Sequence, residues 1–201
     1  MKSFDKVKKA LEAKGYQVKC FDTAKEAADA LDAEIDQKTV GFGGSVTLDA
    51  MGLYERLQPH NEVYWHWRIP EGQTAEDMRK AAAQTELYIC SANGLSEDGM
   101  IINIDGYGNR IASTLYGHQK VIFVIGENKL APTFDEALAR ARNIAAPKNA
   151  QRLHKKTPCS VLDKCADCQS PERICRILNV LWDKPTSTDY EVILIHEDLG
   201  Y

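Results

Sequence analysis

No run of apolar residues in this 201-residue sequence approaches the ~20 needed to span a bilayer, so no membrane partner is expected. The amino-terminal stretch Met-Lys-Ser-Phe-Asp-Lys-Val-Lys-Lys alternates charge with apolar side chains. It lacks the apolar core of a secretion signal, and a cytoplasmic location follows as the expectation. A basic excess is also missing: 25 Lys and Arg face 29 Asp and Glu, a formal charge of −4, which gives no electrostatic reason to expect nucleic acid. Neither a Walker loop nor a complete dinucleotide fingerprint is present, and the five histidines show no H-x-x-x-H or H-E-x-x-H spacing. A histidine-based metal centre is therefore not expected. Internal repeats and low-complexity linkers are absent too, so residues 1–201 are expected to form a single domain.

What is present is the balance of a globular chain, 44% hydrophobic and 27% charged, enough to bury a substantial core. Phe4, Val7, Ala10 and Leu11 recur at helical spacing and Gly15 follows as a stop. Tyr16 to Phe21 alternates as a strand does. Thr23 with Glu26, Thr74 with Asp77 and Thr133 with Glu136 carry the capping-box pattern, predicting helices to about Ile35, Gln84 and Leu153. Another helix carries Leu48, Met51, Leu53 and Leu57 behind a Ser45 or Thr47 cap, and a short one runs from Asn109 to Tyr116. Strands are predicted at Thr39 to Gly43, Glu62 to Trp67, Leu87 to Ala92, Met100 to Ile104, Val121 to Ile125 and Glu191 to Ile195. Such alternation implies an α/β fold with a largely parallel sheet covered on both faces.

Four polar segments follow strands, where open α/β sheets bind ligands. In the first, Gly43 and Gly44 permit close backbone approach, and Ser45 and Thr47 open a helix suited to phosphate or carboxylate; a ligand-free tight turn is the competing reading. The second, from Asn93 to Gly99, brings an amide, hydroxyls and two carboxylates together. Glu97 is its candidate general base or nucleophile, against a hairpin turn whose residues serve only backbone geometry. The third contains Asn109 and Arg110, the latter suited to a bidentate clamp on an anion; the fourth contains Lys129 as a point charge. Together they suggest one cleft for a small anionic ligand or cofactor. Trp65 and Trp67, alternating on one strand, read as packing residues.

Cysteines supply a second candidate site. Cys159, Cys165, Cys168 and Cys175 fall within 17 residues, spaced C-x5-C-x2-C-x6-C, between His154 and Arg176 where charge and cysteine replace the α/β rhythm. In a reducing cytosol such a group tends toward metal or catalysis rather than disulfides. Zinc or an iron–sulfur cluster can use four thiolates, and reduced or exchanging thiols are the alternative. Cys20 and Cys90, inside strand candidates, are expected in the core.

In order along the chain, Gly43 to Thr47, Ala92 to Gly99, Asn103 to Arg110, Gly126 to Lys129 and Ala146 to Ala150 resemble the LUD domain (lactate-utilisation) family. The Cys159 to Cys175 segment and Leu199-Gly200-Tyr201 look like its stand-alone, cysteine-bearing branch. The resemblance implies a Rossmann-like layered fold similar to the NagB/RpiA/CoA-transferase group, with residues 154–176 inserted before the last strand. It implies that Gly43 to Thr47 faces phosphate or cofactor, and it likens Glu97 loosely to the glutamate nucleophile of CoA-transferases. By the same likeness the protein is a component of lactate or organic-acid oxidation beside an iron–sulfur oxidoreductase partner, since it carries neither a ferredoxin-type cysteine run nor a flavin fingerprint. A stand-alone isomerase or acyl-transfer enzyme using Glu97, and a ligand sensor with structural zinc, are the alternatives.

Overall fold

A computed structural model describes residues 3–201; the first two residues, part of the stretch read for a secretion signal, lie outside it. Helix α1 (Asp5–Ala13) buries Val7 and Leu11 and ends at Gly15, whose φ of +87° suits a residue without Cβ. Strand β1 (Gln17–Phe21) follows. The hydroxyl of Thr23 accepts the Glu26 N–H and the Glu26 carboxylate accepts the Thr23 N–H, so this capping box starts α2 (Ala24–Glu34) where the sequence places it. β2 (Thr39–Phe42) then runs into the glycine pair.

Where one helix is predicted after Ser45, two form. Ser45 caps α3 (Val46–Ala50) and Gly52, at φ +60°, separates it from α4 (Leu53–Leu57). The bend lets Leu48, Leu53 and Leu57 all reach the core. β3 (Glu62–Tyr64) is shorter than expected, because the Arg68 N–H donates to the Trp65 carbonyl at 2.9 Å and turns the chain. Next come α5 (Ala75–Ala82), opened by the Thr74–Asp77 box, and β4 (Leu87–Cys90).

β5 (Gly94–Ser96) and β6 (Ile101–Asp105) form an antiparallel hairpin. After α6 (Asn109–Leu115) and β7 (Lys120–Gly126), a single 3-10 turn over Glu127–Lys129 leads to β8 (Leu130–Ala131). α7 (Phe134–Arg140), with its Thr133–Glu136 box, passes through a π-helical turn at Ala141–Ala145 into α8 (Ala146–Arg152). The chain closes with α9 (Cys159–Leu162), β9 (Ile177–Leu181) and β10 (Asp189–Ile195). Replacing Thr133 by alanine removes a box on a helix that packs over β5, and should cost about 1 kcal/mol in a urea titration.

Six strands pair in parallel in the order β1-β10-β7-β4-β2-β3, and a smaller sheet runs β8-β5-β6-β9. The parallel sheet and its layered α/β surroundings are the fold class the sequence predicts. Its two faces carry separate cores, one around Leu11, Tyr88, Phe123 and Tyr190 and the other around Leu31, Phe42, Trp65 and Ile193. Cys90 is buried as expected, whereas Cys20 is exposed, because β1 is an edge strand of the sheet. Among the described residues no helix is long and apolar enough to cross a membrane.

Strand order fixes where a cleft can open. From β2 the chain moves outward to β3, while from β4 it continues inward to β7. Connections leave these neighbours in opposite directions, so a crevice forms beyond their carboxyl ends, the position that open α/β sheets use for ligands.

Candidate functional site: a cation-walled cleft

A cleft of about 490 Å3 lies beyond β2, β4 and β7, within the ~300–1,000 Å3 typical of small-molecule sites. Its wall includes Gly44, Ser45, Thr47, Asn93, Asn109, Arg110 and Lys129, the residues of three of the polar strand-end segments and of the α6 start. Gly43 lies just beneath: a Cβ there would meet the Cys90 Cβ at 2.9 Å and the Arg110 Cδ at 3.2 Å, and one on Gly44 would meet the His66 Nε2 at 3.1 Å. The glycine pair therefore lets Arg110 and His66 pack against the loop. Ser45 spends its hydroxyl on the Leu48 N–H at 3.3 Å, and α3 has only five residues. What this segment brings to the cleft is close backbone approach rather than a long helix dipole.

At the cleft floor is Lys129, 2% exposed. Its Nζ donates to Thr47 Oγ1 at 2.8 Å and to Ser91 Oγ at 2.7 Å. Both hydroxyls are themselves committed as donors, Ser91 to the Val124 carbonyl at 2.6 Å and Thr47 to the Leu199 carbonyl at 3.1 Å. Their lone pairs are thereby turned to the amine. Burial, then the nearby charges of Arg140 and Arg110, pushes the Lys129 ammonium down to about 7. A neutral amine has two N–H bonds, enough for the two hydroxyls, and keeps its lone pair.

Arg110 performs a different task from the clamp its chemistry suggested. NH1 donates to the Ser91 carbonyl at 3.2 Å and to Asn103 Oδ1, NH2 to Asn93 Oδ1 at 3.2 Å and the Ile104 carbonyl at 2.7 Å. With Nε 3.5 Å from the Asp105 carboxylate, the fork ties the end of β4 to the end of β6. Asn93 Oδ1 also takes the Ile104 N–H at 2.8 Å. Arg140 acts similarly, donating to the Asn128 carbonyl at 2.6 Å and to the Asn93 carbonyl at 2.7 Å. These two guanidiniums position the loops and add charge near Lys129.

Several wall residues escape the sequence reading. Arg152 lies 4.7 Å above the Trp67 ring and donates to Tyr201 Oη at 2.7 Å and Asn149 Oδ1 at 3.1 Å. Arg79 sits 4.4 Å over Tyr107. His66 is held neutral, pushed down to about 4 by burial first and Arg79 second. Trp65 packs in the core as expected, but Trp67, stacked on it at 5.0 Å, forms part of the cleft wall. Period-two spacing would put Trp65 and Trp67 on one face of a strand, but β3 ends at Tyr64 and the turn closed by the Arg68 N–H on the Trp65 carbonyl carries Trp67 round to the cleft.

Glu97 stands apart. It lies in the turn between β5 and β6, its N–H donating to the Ala131 carbonyl at 2.9 Å, and its carboxylate pairs with Lys6 Nζ on α1 at 2.9 Å. It is absent from the cleft wall. The four clustered cysteines border a second cavity, and Cys175 borders both.

A twisted parallel sheet with a ligand-sized crevice at the divergence of two strands places this chain among the layered α/β proteins. It belongs to the LUD domain family, whose model matches residues 4–195. Over 97% of its length it is similar to a DUF162 family protein from Deinococcus radiodurans, covering 99% of that chain at 14% identity with a TM-score of 0.52. A ribose 5-phosphate isomerase from Plasmodium falciparum is similar over 54% of this chain and 52% of its own, at 19% identity and a TM-score of 0.33. None of the curated proteins matches this sequence.

Proposed function

We propose that the protein is a cytoplasmic component of lactate or other organic-acid utilisation that holds a small anionic ligand or cofactor in the cleft between β2 and β4, working beside an iron–sulfur oxidoreductase. Membership of the LUD domain family suggests the lactate-related role. The observation that carries the anionic ligand is Lys129. Its buried amine has hydroxyls for partners, and the strongest charges acting on it are the guanidiniums of Arg140 and Arg110. A carboxylate or phosphate entering the cleft supplies the missing countercharge, strengthened by the low dielectric of the floor.

The pH dependence tests this. Below about pH 7 the free protein already carries the ammonium; above it, an anion must draw a proton onto the amine as it binds. Affinity should therefore be flat at acid pH and fall with rising pH by up to ~10-fold per unit above 7. Titration calorimetry with L-lactate, pyruvate and inorganic phosphate should also show proton uptake as a buffer-dependent enthalpy at pH 8. Affinity that is constant from pH 7 to 9 for every anion that binds would remove Lys129 from the binding site.

The same amine favours a second reading, a stand-alone enzyme. With two N–H bonds spent on Thr47 and Ser91, the lone pair of neutral Lys129 is placed to accept a proton or attack a carbonyl. In that reading Lys129 takes the reactive place that residue chemistry alone gives to Glu97, whose carboxylate is engaged with Lys6.

A further inference from the structure

We infer that Cys159, Cys165, Cys168 and Cys175 hold a four-iron, four-sulfide cluster in the cavity they surround, one side-chain layer from the anion cleft. The inference stands whatever the cleft binds.

All four cysteines are free and partly buried, and all four line one cavity of about 310 Å3. They arrive there from three pieces of local structure: the start of α9, the loop after it, and the segment entering β9. Zinc would gather its ligands at Zn–S bonds of ~2.3 Å around a single point. Among the described residues no three Cys, His, Asp or Glu side chains come together in that way. All four cysteines instead line one cavity, which offers the room a four-iron core requires, since in it each cysteine binds its own iron and the inorganic sulfides fill the centre.

The surroundings match the charge such a core carries. Four thiolates on an oxidised cubane leave a net charge of two minus. Arg142, Arg173 and Arg176 line the cavity against a single carboxylate, Asp167, which Arg142 pairs at 3.1 Å. The Asp167 N–H approaches Cys165 Sγ at 3.4 Å and Arg142 at 3.7 Å, while Thr157 Oγ1 lies 3.3 Å from Cys159 Sγ. Arg173 is anchored on the carbonyls of Cys168 at 3.0 Å and Cys175 at 2.8 Å. Donors and cations around sulfur stabilise ligating thiolates and raise the potential of a cluster. The rest of the wall, Ile104, Leu138, Ala146, Ala166, Ile177 and Leu178, is apolar. Ile104, Ala146 and Cys175 form the partition with the anion cleft.

Anaerobic reconstitution of the full chain with ferrous iron and sulfide, followed by metal and sulfide analysis, visible absorbance and electron paramagnetic resonance after dithionite reduction, tests the inference. The expected result is about four irons and four sulfides per chain, broad brown absorbance, and a paramagnetic signal on reduction. Cys168→Ser should lose most of the iron while keeping the parent circular dichroism; Cys20→Ser, on the far edge strand, should keep all of it. Stoichiometric zinc without sulfide, a folded and thiol-reduced protein that takes up no iron, or a Cys168→Ser variant that retains the full complement would each overturn it.

Discussion

Lys129→Met should bind the cleft's anion ~100-fold or more weakly, since removing one partner of a buried charge pair costs about 2–5 kcal/mol, yet melt at a higher temperature than the parent at pH 6. The two effects share one cause. Folding drives this ammonium from 10.5 down to about 7, so at pH 6 the native state holds a charge it disfavours by ~5 kcal/mol at about 1.4 kcal/mol per unit. Between pH 7 and 10.5 the unfolded chain binds the proton and the native state releases it. Stability of the parent therefore rises with pH across that window, and the penalty is fully present below it. Methionine fills similar volume with no charge. The hydroxyls of Thr47 and Ser91 lose a donor, which returns about 1 kcal/mol each. The net gain at pH 6 is about 2–3 kcal/mol, or roughly 4–10 °C for a chain of this size; because the charge penalty is gone by pH 10.5 while the lost hydrogen bonds remain, it should reverse there to a loss of about 2 kcal/mol. Scanning calorimetry at pH 6 and 10 measures it. A variant that melts lower at pH 6 and binds anions as the parent does would make Lys129 a structural residue.

The second large effect is expected at Gly94. A Cβ on this strand residue would lie 2.5 Å from the Ala137 carbonyl oxygen and 3.1 Å from its carbon. Both are backbone atoms of α7, which cannot yield as a side-chain end does. Gly94→Ala should therefore push α7 off β5 and cost about 3 kcal/mol, the upper range for overpacking, visible as a lower urea midpoint. Arg140 closes α7 and holds the Asn93 and Asn128 carbonyls, so the displacement should also weaken anion binding. Gly52→Ala is the control: φ there is +60° and nothing lies within 4 Å. It should lose only the ~1 kcal/mol of a left-handed alanine. Equal losses at the two positions would mean that α7 shifts freely over β5.

The sequence made the parallel sheet legible because its signals are local. Capping boxes at Thr23, Thr74 and Thr133 each require only residues three apart, and β4, β7 and β10 are apolar runs that only a covered strand explains. β5, β8 and β9 were not legible in the same way. The first two have three and two residues, too few to show a period, and β9 exposes Ile177 and Leu178, so no buried face declares it. The break between α3 and α4 turns on one glycine inside a continuous helical pattern.

For the cleft, residue type and strand-end position were enough to single out Gly44, Thr47, Asn93, Asn109, Arg110 and Lys129. They could not say what each one faces. Arg110 looked like a clamp and is a tie between strands; Glu97 looked reactive and is turned to Lys6. Both outcomes depend on where a hairpin folds back, a long-range fact. Arg152, Arg79 and His66 reach the cleft from elements distant in sequence, and no spacing rule connects them to it.

The π-helical turn at Ala141–Ala145 amounts to one residue more than an α-helix needs between Phe134 and Arg152. Every residue beyond it is rotated by about 100° relative to the regular course. Arg142, inside the turn, meets Cys165 and Asp167, and Asn149 and Arg152, beyond it, meet Tyr201 and the cleft. Loss of a single codon here would restore an ordinary helix and put its second half out of phase. A chain could gain helical regularity that way only by turning one of its two cavities away from the rod they share.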